Sequence, residues 1–239
     1  MFKINGELQD LQWVDDIYKW YKTGGYMRYR GIIFDLDGVI CHTDQYHYEA
    51  WKEIADKLCI PFDETINNRL RGVSRMESLN IILENYSGEI SADDKAMYAE
   101  GKNLIYKQLL QRMSPSDLDD TVKKTLEELR TRGFKLAIGS SSKNARLILD
   151  KLEIQDFFDV ISDGNNIVNS KPDPEVFQNA AKALNLPNEE CLVIEDAVAG
   201  IEAANAAGMD SCGIGEAAIY KKTTYKIEEL RDILNIVGG

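Results

Sequence analysis

Apolar positions along the chain follow two rhythms, and the boundary between them divides the molecule. Residues 31–34 and 191–194 are uninterrupted apolar runs, the pattern of strands covered on both faces in a parallel sheet. Residues 135–140, 160–162 and 211–214 read as three further strands. Helical stretches separate them: 118–132, 144–152, a helix that Asp173-Pro174 opens with a cap and a first-turn proline, a small-residue helix that stops at Gly208, and an amphipathic tail. Such alternation specifies an α/β fold, a doubly wound parallel-sheet core of Rossmann-like type.

One block departs from this rhythm. From Asp44 to Met113 no strand pattern occurs. One helix is expected at 45–58, a second behind the capping box Ser74-Arg75-Met76-Glu77, and a third from Ser91 to Arg112. Ser114-Pro115-Ser116 punctuates the end of the block. The order of segments implies a discontinuous core, 27–42 with 115–239, interrupted by an all-helical cap at 43–114 that sits over the end of the first strand. The cleft between them is the expected site. Residues 1–26 form an N-terminal extension with Trp13 and Trp20 on a short amphipathic helical pattern that Gly24-Gly25 ends. That extension is read as a docked appendage or a dimer contact on a chain otherwise expected to be a monomer, and no chemistry is assigned to it.

Charge and cysteines narrow the partners. A net charge of -12, with neither a basic patch nor a Lys/Arg-rich helix, argues against nucleic acid or an anionic membrane, so any phosphate site must be built locally. Cys41, Cys59, Cys191 and Cys212 form no C-x-x-C pair, and neither a signal peptide nor a long apolar stretch is found, which reads as reduced thiols in a cytoplasmic protein. Cys41 lies among carboxylates that disfavour its thiolate, so it is not expected to be a nucleophile.

The chemistry gathers at strand ends, where parallel sheets collect their ligands. The run 31–34 breaks off into Asp35 and Asp37, followed at once by Gly38. Two carboxylates so close repel by roughly 4 kcal/mol at 4 Å and an effective dielectric of 20, and a cation is the simplest remedy. Three more polar groups fall at other strand ends or their loops: Ser140-Ser141-Ser142-Lys143-Asn144, Lys171 ahead of Pro172, and Glu195-Asp196. Taken singly, each also reads as a cap, a turn or a solvated side chain.

In that order, with the stretches D-x-D-G-V-I at 35–40, S-K-P-D-P at 170–174 and E-D-A-x-A-G-I at 195–201, the chain resembles the haloacid dehalogenase superfamily of phosphoryl-transfer enzymes over residues 30–215. Arg71-Gly72-Val73-Ser74-Arg75 in the cap, with 43–47 and 140–144, is similar to the β-phosphoglucomutase branch of it. Two features depart: Arg71 stands where the family's cap-loop lysine is expected, and the extension has no counterpart. The resemblance implies that Asp35 is the nucleophile and forms an aspartyl phosphate, and that Asp37 is the general acid and base. It further implies that Asp35, Glu195, Asp196 and the backbone carbonyl of Asp37 hold Mg²⁺. Ser140, Ser141 and Lys171 would hold the transferring phosphoryl group, and Thr43 and His47 would assist catalysis. Substrate and distal phosphate would meet Arg71, Gly72, Val73, Arg75, Ser78, Trp51 and Lys102 from the cap, and Ser142, Lys143 and Asn144 from the core. Charge counting agrees: up to four negative carboxylates face three positive charges from Mg²⁺ and Lys171, so a phosphate dianion binds only if Asp37 is protonated as an acid and the rest is spread over donors.

The expected function is a mutase interconverting β-D-glucose 1-phosphate and D-glucose 6-phosphate, primed by glucose 1,6-bisphosphate. A Mg-dependent sugar-phosphate phosphatase is the alternative within the superfamily, and a non-catalytic binding protein the alternative outside it. Gly213 to Ala218 matches G-x-G-x-x-A, but only a short tail follows with no second βαβ half, so a plain turn is expected there. His42 and His47 flank the site without a third ligand for zinc.

Overall fold

The computed structural model describes residues 28–70 and 73–238. Strand β1 (Gly31–Phe34) lies at the centre of a six-stranded, wholly parallel sheet, between β2 (Lys135–Gly139) and β4 (Cys191–Glu195). Outside them lie β3 (Val160–Ser162), β5 (Asp210–Gly213) and β6 (Tyr225–Lys226), giving the order β3-β2-β1-β4-β5-β6. That order reverses at β1, and the crevice beyond the carboxyl ends of β1 and β4 is where such sheets bind ligands. Alternation along β1 explains its unbroken apolar run. Ile32 and Phe34 enter one hydrophobic cluster with Leu136, Ile138, Leu192 and Ile194, while Ile33 enters the cluster on the opposite face with Ala137, Val193 and Phe177. Each fully buried side chain of this size is worth roughly 1.5–3 kcal/mol, which no solvated face could recover.

Between β1 and β2 the chain is helical, as its pattern predicts. Helices α1 (Asp44–Lys57), α2 (Glu64–Asn68), α3 (Arg75–Leu83) and α4 (Ala92–Leu110) are followed by α5 (Asp120–Thr131), which returns the chain to β2. Ser74 and Ser91 cap α3 and α4 as expected, accepting from the Glu77 N–H at 3.2 Å and the Asp94 N–H at 3.1 Å. The cap owns a third apolar cluster around Trp51, Ile54, Phe62, Leu79 and Ile82. Helix α4 serves two clusters: Ala99 packs in the cap, whereas Tyr106, Leu109 and Leu110 pack into the core cluster beside Phe34. Helix α6 (Ala145–Lys151) follows β2, α7 (Glu175–Leu184) follows β3, and α8 (Val198–Ala206) follows β4.

Two details differ from the sequence reading. Helix α2 was not foreseen, being one turn held by Asp63, which accepts from the Ile66 N–H at 2.9 Å. The amphipathic tail is a 3-10 turn, the two-residue β6, a second 3-10 turn and a short helix α9 (Ile233–Val237), from which Ile227, Leu230 and Ile233 reach the core. The G-x-G-x-x-A stretch is the expected turn, with Gly215 in the left-handed region at φ 58. The N-terminal extension, Arg71 and Gly72 lie outside the described residues. Among the described residues no helix is long and apolar enough to cross a membrane.

Candidate active site

Asp35 follows directly on β1, and its N–H still bonds the Ile194 carbonyl at 2.9 Å, so the sheet itself aims this carboxylate into the crevice. The chain then turns at Gly38, whose φ is 85. A Cβ there would overlap the Asp196 carboxylate, so glycine alone fits. At the end of β4, Gly200 plays the matching part, since a Cβ would overlap the Glu195 carboxyl. The result is a knot of three acids: oxygens of Asp35, Glu195 and Asp196 lie within 4.8 Å of one another. Lys171 Nζ donates to Asp35 Oδ1 and to Glu195 Oε1, each at 2.5 Å, and all three side chains are buried. Glu195 Oε2 accepts from the Ala197 N–H at 3.0 Å.

Burial and crowding decide the protonation of this knot. Burial, followed by the charges of Asp35 and Glu195, pushes Asp196 up to about 8. Burial outweighs the neighbouring ammonium at Glu195 and raises it to about 7. For Lys171, burial disfavours the charge, but Asp35 and Glu195 together reverse that and raise it above the ordinary lysine value. Three hard oxygen donors, two of them lifted towards neutrality by burial and then by mutual repulsion, are a donor set that a divalent cation would relieve, and their chemistry fits Mg²⁺.

Asp37 faces the other way, towards the cap. Its Oδ1 accepts from the Thr43 hydroxyl, which in turn accepts from the Tyr106 hydroxyl at 3.0 Å. Burial and then the charge of Asp35 raise Asp37 to about 7, against the opposing Thr43 hydrogen bond. Beside it, Lys102 Nζ lies 2.7 Å from His47 Nδ1. The ammonium sits over the rings of Tyr106 and Trp51, at 4.4 and 5.2 Å from their centres. Burial and then Arg75 lower Lys102 to about 7. Burial, with Lys102 and Arg75, holds His47 well below the ordinary imidazole value. When Lys102 is charged its ammonium can only donate, and His47 then accepts at Nδ1 as the neutral tautomer protonated on Nε2. His47 also stacks on Tyr106, ring centres 4.1 Å apart.

The loop after β2 forms the third wall. Ser140 Oγ accepts from the Ser142 N–H at 3.1 Å, and Ser142 Oγ accepts from the Asn144 N–H at 3.2 Å, which winds the loop into the start of α6. The following loop locks onto it through Gly164 N–H to the Ser142 carbonyl at 3.1 Å and Asn165 Nδ2 to the Lys143 carbonyl at 2.9 Å. Lys171 is tied in by its N–H, 3.4 Å from Ser141 Oγ. Across the crevice, Arg75 at the start of α3 pairs with Glu100 at 3.1 Å. Glu100 accepts from Asn103 Nδ2 at 3.3 Å, and Asn103 Oδ1 accepts from Asn144 Nδ2 at 2.9 Å.

One cleft of about 560 Å³ joins these walls. Asp35, Asp37, His47, Trp51, Val73, Arg75, Ser78, Lys102, Ser140 to Asn144, Lys171, Glu195 and Asp196 all line it. Thr43 does not; fully buried, it reaches the cleft only through Asp37. Arg71 and Gly72 lie outside the described residues. Sequence reasoning missed Glu100, Asn103 and Tyr106, whose spacing on one helix was the available signal. Cys41 is buried, its thiol raised by burial and then by Asp37 and Asp35, which agrees with an inert thiol. All four cysteines are unpaired.

The family model for haloacid dehalogenase-like hydrolases matches residues 29–208. A β-phosphoglucomutase of Bacillus subtilis is 41% identical over 189 residues, 78% of this chain and 84% of that one. A phosphorylated carbohydrates phosphatase of Thermotoga maritima is 31% identical over 182 residues, covering 75% and 82%. Among solved structures, a β-phosphoglucomutase from Clostridium difficile superposes with a TM-score of 0.80 at 40% identity, over 86% of this chain and 93% of that one.

Proposed function

The chain belongs to the haloacid dehalogenase-like hydrolase family, and from that premise we propose that it is a mutase interconverting β-D-glucose 1-phosphate and D-glucose 6-phosphate through glucose 1,6-bisphosphate. The observation that carries this reading is a cleft with two cationic poles, Lys171 against Asp35 in the core and Arg75 on the cap facing Lys143 and Asn144. A phosphatase needs one phosphate site; a mutase that works through a bisphosphate needs a second, so that the intermediate can turn around. Arginine suits the second, because its planar fork matches phosphate oxygens.

Asp35 attacks the phosphorus and the bond to the leaving sugar oxygen breaks, giving an aspartyl phosphate. Asp37 gives its proton to that oxygen and later takes one from the hydroxyl that attacks the aspartyl phosphate. A group held at about 7 serves both directions near neutrality. Thr43 and Tyr106 hold Asp37 in place from the cap side. Ser140, the Ser141 N–H and Lys171 receive the phosphoryl oxygens, while Trp51, Val73, Ser78, His47 and Lys102 enclose the sugar, with Ser142, Lys143 and Asn144 at its far end. Asp35, Glu195, Asp196 and the Asp37 carbonyl would hold Mg²⁺, which when bound neutralises charge on the transferring group. Residues 43–114 would act as a closing cap with hinges at 43–44 and 113–115, excluding water from the aspartyl phosphate.

The Thermotoga phosphatase relative favours a second reading, hydrolysis of a sugar phosphate by the same Asp35 and Asp37. The deciding assay supplies β-glucose 1-phosphate, Mg²⁺ and catalytic glucose 1,6-bisphosphate and follows glucose 6-phosphate and free phosphate together. Glucose 6-phosphate as the main product is expected. Dominant free phosphate moves the assignment to phosphatase, and equal use of the α-anomer removes the stereochemical part.

A further inference from the structure

Arg75 is engaged before any ligand arrives. Its guanidinium pairs with Glu100 at 3.1 Å, and Glu100's other oxygen accepts from Asn103, whose own carbonyl oxygen accepts from Asn144 at 2.9 Å. Two of the donors assigned above to the second phosphate, Arg75 and Asn144, are therefore joined, through Glu100 and Asn103, in a single line of hydrogen bonds that crosses from cap to core. Asn103 and Asn144 are buried, whereas the Glu100 side chain is 60% exposed on the rim of the cleft. A carboxylate presents two oxygens to a guanidinium much as a phosphate does. Glu100 thus occupies the place of an anion, and can leave it, because a pair with so exposed a partner is weakly held.

We infer that Glu100 is a selectivity residue: its carboxylate is a built-in competitor for Arg75, so that a ligand engages the cap only by bringing a second phosphate able to displace it. This rests on the reading of Arg75 as the second phosphate site. A ligand lacking that phosphate leaves the Arg75–Glu100 pair intact and gains nothing from the cap. A bisphosphate takes over Arg75, frees Asn144 for its own oxygens, and drives Glu100 outwards into solvent. The cost of displacement falls on every ligand that brings a phosphate to this end, so Glu100 lowers affinity there while keeping Arg75 closed to uncharged groups too weak to displace a carboxylate.

The test measures binding of glucose 1,6-bisphosphate with Mg²⁺ by calorimetry in an Asp35→Asn background, where turnover does not interfere. Glu100→Gln, isosteric and uncharged, is expected to tighten binding about threefold to fivefold. In an Arg75→Ala background the same change is expected to move the affinity less than twofold, since no competition remains to relieve. Glu89→Gln removes a charge from an exposed cap position and is expected to have less than a twofold effect. Unchanged or weaker binding in Glu100→Gln, an equal gain in Glu89→Gln, or a gain that survives Arg75→Ala overturns the inference while leaving the second phosphate site standing. If Arg75→Ala alone leaves the affinity unchanged, the second site itself is wrong and the inference falls with it.

Discussion

The two poles of the cleft are built to opposite standards. At the core pole, Asp35, Glu195 and Lys171 are buried and joined at 2.5 Å, on backbone that the sheet and two sterically obligatory glycines hold in place. At the cap pole, Arg75 pairs with a glutamate whose side chain is 60% exposed. Groups that act on the phosphorus must be in position before the reaction, because each reorganisation adds to the barrier. Groups that choose the ligand gain from being exchangeable, because selectivity is a difference between bound states. Under the proposed function, the contrast teaches that chemistry is fixed in the sheet and recognition is left to the helices.

Removing Asp35 should give the largest effect. Asp35→Asn is expected to lower turnover by about 10⁴-fold or more, the scale of lost nucleophiles, with circular dichroism unchanged. Near-normal turnover would take the chemistry away from the core pole. Asp37→Asn is expected to cost on the order of 10²-fold to 10⁴-fold, as general acid–base catalysis does. Weaker metal binding with unaltered chemistry would reassign Asp37 to ligation. Arg75→Ala, at the cap pole, should damage mutase flux far more than hydrolysis of a small aryl phosphate, by about 10-fold to 100-fold in kcat/KM. Equal damage to both substrates would erase the distinction between the poles.

Acidity sharpens the comparison further. Asp37, Glu195 and Asp196 are raised in the fold to about 7, 7 and 8, so the stability they contribute is present at low pH and is lost as pH rises through those values. Lys102, lowered to about 7, runs the opposite way, favouring the fold as pH rises through its value. Below pH 7 the three acids outweigh His47, which also runs the opposite way, and above it Lys102 offsets Asp196, so the Tm of metal-free protein should fall between pH 5 and pH 7. Added Mg²⁺ should raise Tm, and more at pH 8.5 than at pH 6, because binding competes with protons. A Mg²⁺ effect independent of pH would mean the acid knot is not the metal site. The smallest change is Tyr106→Phe, which removes the donor to Thr43 and should cost about 0.5–1.5 kcal/mol in urea unfolding. It should also move the Asp37 limb of the pH–rate profile slightly upward. No movement of that limb would separate the cap from Asp37.

What was legible in the sequence follows the same division. The acid pair at the end of β1, the loop after β2 and the acids ending β4 could be found because strand ends are fixed by short apolar runs and adjacent residues. The cap's partnerships could not, since Tyr106 meets Thr43 across 63 positions and Lys102 meets His47 across 55. An aromatic on an amphipathic helix looks like core until the fold shows what its hydroxyl touches. Glu100 looked like any solvated acid for the same reason. The two-residue β6 and the single turn of α2 are too short to carry a period.

Helix α4 sets a rule for how such a protein can be recombined. One end of its 19 residues seals the cap while the other, through Tyr106, Leu109 and Leu110, seals the sheet beside Phe34. A cap transplanted from a relative at positions 43 and 114 would bring a foreign piece of the catalytic core with it. Substrate range and core stability are therefore inherited as one block, and a chimera that exchanges the first must be repacked for the second.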